Sequence, residues 1–227
     1  MNGPGGMRHF HDELEALKSR LLDMSSLAEE LVRDAVEALE QGDVEKAGTV
    51  RARDRDLDGI ELEIDDASVH LLALQQPMAR DLRLITMIMR ISNDLERVGD
   101  HATNLAEAVE DLAELPAMEP LPEIGEMARH AREMLSDALD DFVRGDAKAA
   151  REVCARDDQV DALYRSVFRI LLTHMMEDPR RIGASMKLFM VAENLERIAD
   201  LATNIAEDAV YLVEGRTIKH RADQRAG

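Results

Sequence analysis

The segments Asn93 to Glu107 (NDLERVGDHATNLAE) and Glu193 to Glu207 (ENLERIADLATNIAE) align without a gap at an offset of 100 residues, and nine of the fifteen positions are identical. A copied segment of this kind constrains the fold more than any other feature, because each half has to close its own apolar face in the same way. Upstream the register is 103: Gly42-Asp43 matches Gly145-Asp146, Asp54 matches Asp157 and Asp58 matches Asp161. The second copy is therefore about three residues shorter between its second and third helices. Within the repeat, Leu95, Val98, Ala102, Leu105, Val109 and Leu112 recur in steps of three and four, and Leu195, Ile198, Ala202, Ile205, Ala209 and Leu212 repeat them. That spacing is the seam of an antiparallel helical bundle in which small alanines permit close approach.

Glycine and proline punctuate the rest of the chain. Residues 1 to 6 are expected to lack regular structure. A first helix is predicted from Phe10 to Glu40, followed by a Gln41-Gly42-Asp43 turn whose aspartate caps a second helix reaching Gln76. Pro77 is expected to open the third helix, in the first-turn position proline tolerates, and the helix to run to Leu115. Three prolines in seven residues, Pro116 to Pro122, interrupt the pattern and mark a boundary. The scheme then repeats, with Gly145-Asp146 and Asp178-Pro179 as turns. The expectation is an all-α protein of six helices in two tandem three-helix bundles related by internal pseudo-twofold symmetry. The first bundle spans 7–115, a linker 116–122, the second bundle 123–215, and a polar, basic, mobile tail 216–227. Each copy is expected to bury its stripe mainly against its own helices.

Composition agrees and narrows the function. Only four Phe, two Tyr and no Trp occur, against a background rich in good helix formers. A net charge of -19 repels phosphate backbones and 3% aromatics leaves few stacking platforms, so direct nucleic-acid binding is not expected. The single cysteine, Cys154, has no intrachain partner, and the N-terminus lacks a basic-then-apolar signal, which points to the cytoplasm. No run approaches 18 uninterrupted apolar residues, so membrane association would come only through a partner.

The chemistry-bearing pattern is acidic. At 100° per residue Glu96, Asp100, Thr103 and Glu107 fall on one face, roughly opposite the seam and outward, with Asn104 at its edge. Asp54, Asp58, Glu61 and Asp65 form a stripe flanking the second helix's seam, and Asp157, Asp161, Glu196, Asp200 and Glu207 reproduce the arrangement in the second half. Carboxylates four apart on a helix repel by roughly 0.2 to 0.5 kcal/mol unless a cation offsets them. In a chain that is 33% charged an outward acid is ordinarily a solvated face. Retention of Glu-x-x-x-Asp in both copies, where Asn93 and Glu193 differ, favours hard oxygen ligation of Mg²⁺, Mn²⁺ or Ca²⁺, or bridging of iron or zinc.

These residues resemble a known family. Leu95-Glu-Arg-Val-Gly-Asp100 and Leu195-Glu-Arg-Ile-Ala-Asp200, each followed by Ala-Thr-Asn and an apolar residue, are similar to the paired signature of the PhoU family of bacterial phosphate-signalling regulators. So are Gln76-Pro77 with Asp81-Leu82-Arg83, and Asp157 to Tyr164 (DDQVDALY). The resemblance implies metal ions (Fe, Zn, Mn or Mg) or a multinuclear cluster held by Glu96, Asp100, Glu196 and Asp200, with Asp54, Asp58, Asp157 and Asp161 as further ligands. It implies partner contacts at Asp81 and Arg83, confined to the first half. It also implies an adaptor that restrains phosphate-starvation signalling by linking a phosphate ABC transporter ATPase to a sensor histidine kinase. Whether the chain forms a homodimer is left open. Ala199 departs from the glycine at Gly99, which reads as a mild helix-favouring change.

His101 and His70 project away from the acidic stripes, Cys154 is expected to pack as a small apolar group, and Met87, Met89, Met175, Met176 and Met190 read as core filler. No enzyme is expected. The rival reading is a di-metal carboxylate oxidase or ferritin-like metal store, but that architecture uses Glu-x-x-His motifs inside a four-helix core, and none occurs here.

Overall fold

The structure, a computed structural model, describes residues 4–75 and 77–218. Seven α-helices follow in order: α1 (Pro4–Gln41), α2 (Val44–Gln75), α3 (Ala79–Ala113), α4 (Pro122–Arg144), α5 (Ala147–Cys154), α6 (Asp157–Glu177) and α7 (Ile182–Glu214), with one 3₁₀ turn at Pro179–Arg181. The fold is all-α, two tandem three-helix bundles: α1, α2 and α3 form the first, and α4, the α5–α6 pair and α7 the second.

The two copied turns are built alike. Gly42 and Gly145 adopt left-handed backbone at φ +65° and +66°, a conformation that disfavours a side chain. The aspartate that follows caps the next helix: Asp43 Oδ1 accepts from the Lys46 N–H at 3.0 Å, and Asp146 Oδ1 from the N–H groups of Lys148 and Ala149 at 3.1 and 3.0 Å.

Four boundaries differ from the sequence expectation. Helix α1 begins at Pro4, six residues before Phe10, so of the segment expected to lack structure only residues 1–3 lie outside the described part. Pro77 does not open α3; Met78, extended at φ -108° and ψ 144°, is its N-cap and Ala79 its first residue, since the chain reverses direction here and an N-cap takes non-helical backbone. Gln76 lies outside the described residues. The expected fifth helix is broken at Ala155-Arg156 into α5 and α6, so Asp157 stands in the first turn of a helix rather than mid-helix. Pro122, placed in the linker, is instead the opening residue of α4, leaving 116–121 without regular structure. Of the tail, 216–218 is irregular and 219–227 lies outside the described residues.

The halves meet along α3 and α7, which run antiparallel. Arg90 pairs with Asp208 at 3.2 Å, Asn104 Nδ2 donates to Asn194 Oδ1 at 3.1 Å, and Lys187 pairs with Asp111 at 2.5 Å. Each half closes on its own helices, yet the apolar interior is continuous: Leu14, Leu31, Leu57 and Leu95 from the first half and Met127, Val160, Leu195 and Ile205 from the second belong to one core. Burial of that core is the dominant stabilising term. Among the described residues no helix is long and apolar enough to cross a membrane.

Candidate functional site

Helix α2 packs tightly against α3 at Gly99. A Cβ there would lie 2.4 Å from Leu57 Cδ2 and 2.7 Å from Asp54 Oδ1. The missing side chain lets the acidic flank of α2 close against that of α3. The stripes therefore face a groove between the two helices, not the outward face opposite the seam that the helical wheel suggests: Asp54, Glu61 and Glu96 are partly buried, while Asp58 and Asp100 are exposed. The second half repeats this between α6 and α7, with Asp157, Asp161, Glu196 and Asp200 all partly buried.

Electrostatics shows which acids have come together. The Asp54 carboxyl is raised above the usual aspartate range first by burial, then by Asp58 and by Asp100 on the neighbouring helix. Glu96 is raised by burial and then by Asp100, Glu61, Asp58 and Asp54. In the second half Asp157 is pushed up to about 6 by burial and by Asp200, Asp161 and Asp158. Glu196 rises for the same reasons, burial first and then Asp200, with Arg197 pulling the other way. Asp157 also sits in the first turn of α6, where the helix dipole favours a carboxylate. The raised value means that burial and like charge outweigh it.

The two groups are not identical. Arg197 Nη1 donates to Asp200 Oδ2 at 3.2 Å and Arg197 Nε lies 3.6 Å from Glu196 Oε2, supplying an internal counter-charge. Among the described residues no basic group relieves Asp54, Glu61 or Glu96 in the first half. Thr103 and Thr203, one turn beyond each aspartate, complete the resemblance between halves. Their hydroxyls lie beside Asp54 and Asp157 and draw those pKa values down. Even so, Asp54 Oδ1, Thr103 Oγ1 and Thr203 Oγ1 are sealed from water without a hydrogen bond of good geometry. Oxygens left in that state cost free energy, and hard oxygen donors of this kind are chemically suited to a cation. As the side chains stand, no group of three or more His, Cys, Asp or Glu among the described residues is disposed to hold a metal ion.

Raised carboxyls bind protons more readily in the folded than in the unfolded chain, so their contribution to stability falls as pH rises through the folded value. Metal-free protein is therefore expected to melt at a higher temperature at pH 5.5 than at pH 7.5, by calorimetry in EDTA. Below about pH 4.5 the trend reverses, because Glu30 and Glu37 are held low by hydrogen bonds from Arg53 and Lys46 and lose those bonds on protonation. A melting temperature that falls steadily from pH 7.5 to 5.5 would contradict the assignment.

His101 points at Asn194 on α7, its Nδ1 2.9 Å from Asn194 Oδ1, and His70 is exposed. Cys154 packs partly buried against the core and its thiol is pushed up to about 11 by burial, then by Glu207, which makes it a poor nucleophile. The methionines divide. Met87 is buried, but Met176 is 78% and Met190 45% exposed, so these two are not core filler. Tyr164, Phe168 and Phe189, whose ring centres lie 5.5 and 5.6 Å apart, form an apolar surface on α6 and α7. At the register of 103 Tyr164 and Phe168 stand where the first half has Glu61 and Asp65. The duplicated acidic stripe is thus truncated by aromatics in the second copy. Asp81 and Arg83 lie in the first turns of α3; Arg83 lines a cleft with α1, α4 and α7, and Asp81 does not.

A family model described as the PhoU domain matches residues 21–109 and again 124–209, one match for each bundle. The chain belongs to the PhoU family. A relative from Clostridium acetobutylicum, named a phosphate-specific transport system accessory protein PhoU homolog, is 39% identical over 210 residues, covering 92% of this chain and 96% of the relative. An Aquifex aeolicus protein of the same name is 41% identical over 215 residues, covering 95% and 97%. The crystal structure of PhoU from Pseudomonas aeruginosa superposes with a TM-score of 0.89 at 41% identity, over 91% of this chain and 100% of that one. A phosphate transport system regulatory protein PhoU from Streptococcus pneumoniae gives 0.85 at 31% identity, over 92% and 99%. The PhoU relatives are named accessory or regulatory proteins, not enzymes.

Proposed function

We propose that this chain is a cytoplasmic accessory regulator of phosphate-specific transport, a metal-binding adaptor that represses phosphate-starvation signalling by linking a phosphate ABC transporter ATPase to a sensor histidine kinase. The observation that carries it is the pairing, in a PhoU-family chain, of two carboxylate grooves built by the same residues in both halves. Asp54, Asp58, Glu96 and Asp100 in the first groove, and Asp157, Asp161, Glu196 and Asp200 in the second, are the groups that would take Fe, Zn, Mn or Mg through hard oxygen donors. A bound cation would supply the positive charge the first groove lacks, add to that of Arg197 in the second, and draw α2 to α3 and α6 to α7. The adaptor role needs surface rather than a reaction centre. The exposed Phe168 and Met176 on α6, with the half-buried Tyr164, and the first turns of α3, with Asp81 and Arg83, offer separate places for two proteins to dock.

The test is genetic and biochemical together. Deleting the gene is expected to derepress phosphate-scavenging genes in phosphate-replete medium. The tagged full-length chain is expected to retain the transporter ATPase or the kinase, and Phe168→Asp to release one of them without altering the melting temperature. Normal repression in the deletion strain would end the regulatory reading.

A further inference from the structure

We propose that the cleft between the two bundles, where α1, the start of α3, the α4–α5 turn and the end of α7 meet, binds an organic anion: a phosphate or carboxylate head on an apolar body. This does not rest on the metal reading, and it gives the junction of the halves a ligand of its own.

The cleft has a volume of about 750 Å³, within the range of small-molecule sites. Its charge runs against the rest of the molecule. The chain carries 47 acidic and 28 basic residues, yet the cleft is lined by Lys18, Arg80, Arg83 and Arg144 with Glu15 as its one carboxylate. Two of those cations are already matched: Lys18 lies 2.6 Å from Glu15, and Arg144 donates to Asp141 at 2.8 Å. Arg80 and Arg83 have no ion-pair partner among the described residues. The Arg83 Nε–H is moreover sealed from water with nothing to accept from it. Its guanidinium lies over the end of α7, where a side chain at Gly215 would begin 3.1 Å from Nη1. Two adjacent guanidiniums with free donors suit a planar or tetrahedral oxyanion, which they can grip through paired hydrogen bonds.

The walls supply the second half of the specificity. Leu22, Val143 and Val213, exposed by 45%, 58% and 48%, line the same cleft, backed by Leu21, Leu84 and Phe142. Apolar surface left open beside unpaired cations is poorly matched to water and well matched to an amphipathic anion. Inorganic phosphate would meet the arginines and leave the leucines and valines wet. Such a head group could belong to a free metabolite or to an anionic lipid, and a concave site on a strongly acidic protein takes either by the same contacts.

The experiment is calorimetric titration of the full chain with octyl phosphate below its micellar concentration, with inorganic phosphate as the parallel probe. Saturable binding near 1:1 is expected, at least tenfold tighter than inorganic phosphate, and weakened tenfold or more in Arg83→Gln. Arg80→Gln, at an exposed position that does not endanger folding, is expected to weaken it severalfold, and Val213→Ser to weaken octyl phosphate but not inorganic phosphate. Flotation with vesicles of mixed neutral and anionic lipid separates the two sources: co-flotation lost in Arg80→Gln assigns the head group to a membrane lipid, and no co-flotation alongside octyl phosphate binding assigns it to a free molecule. Absence of binding to both, equal affinity for inorganic and octyl phosphate, or affinities unchanged in both arginine variants would overturn the proposal.

Discussion

Gly99→Ala is expected to destabilise the protein by about 1–2 kcal/mol net, because forcing an extra carbon into a packed interior costs about 1–3 kcal/mol, and to lower the melting temperature by several degrees. The new methyl would start 2.4 Å from Leu57 Cδ2 and 2.7 Å from Asp54 Oδ1. Leu57 is completely buried, so its side chain has no open space into which to swing. This outweighs the gain of about 1 kcal/mol that alanine ordinarily brings over glycine in a helix. The second half shows how the clash is avoided. At the matching positions stand Ala199 and Val160, both completely buried, so the copy with the larger residue on its third helix has the shorter one opposite. Leu57→Val alone is expected to cost about 1 kcal/mol through the lost methylene. Leu57→Val with Gly99→Ala should be more stable than Gly99→Ala alone, measured as coupling in a double-mutant cycle by urea unfolding. Strict additivity, or a neutral Gly99→Ala, would show that the helices are not held at the spacing described. The glycine-to-alanine difference between copies is therefore a matter of paired volume, not helix propensity.

That exchange shows what was legible in the residues and what was not. The duplication, the Gly-Asp turns and the seam of Leu95, Val98 and Ala102 follow from local spacing, and the bundles assemble along them. The direction of the acidic stripes does not follow. A helical wheel locates Glu96 and Asp100 by angle on their own helix, whereas the distance to Asp54 on the next is set by a single missing Cβ. The break at Ala155-Arg156 has no counterpart at Ala52-Arg53 in the continuous α2, and nothing in the structure explains it. Thr203 could have been found from the repeated Ala-Thr-Asn. The cleft could not, because Lys18, Arg80, Arg83 and Arg144 come from three stretches far apart in the chain and meet only when both halves are packed.

The groove in the second half leads to a prediction whose sign depends on metal. Asp157 is pushed up to about 6 by burial and by Asp200, Asp161 and Asp158. Ionised at neutral pH in the metal-free protein, it weakens the fold, by about 1 kcal/mol once screening by nearby water is allowed for. Asp157→Asn removes that charge while keeping the shape, so in EDTA at pH 7.5 the variant is expected to be the more stable protein. With Mn²⁺ or Zn²⁺ in excess the order reverses. A site filled at a hundredfold its dissociation constant stabilises the folded state by about 2.7 kcal/mol, and a neutral amide is a poor replacement for a carboxylate ligand. The parent should therefore gain in melting temperature from both grooves and the variant from only one. Elemental analysis of chelator-free preparations should find about half the parent's metal in Asp157→Asn, and about half in Glu96→Gln with Asp100→Asn, which empties the other groove. If Asp157→Asn loses stability equally with and without metal, Asp157 acts as a structural hydrogen-bond acceptor for the fold. The repulsion among the four acids would then have no cation to balance it.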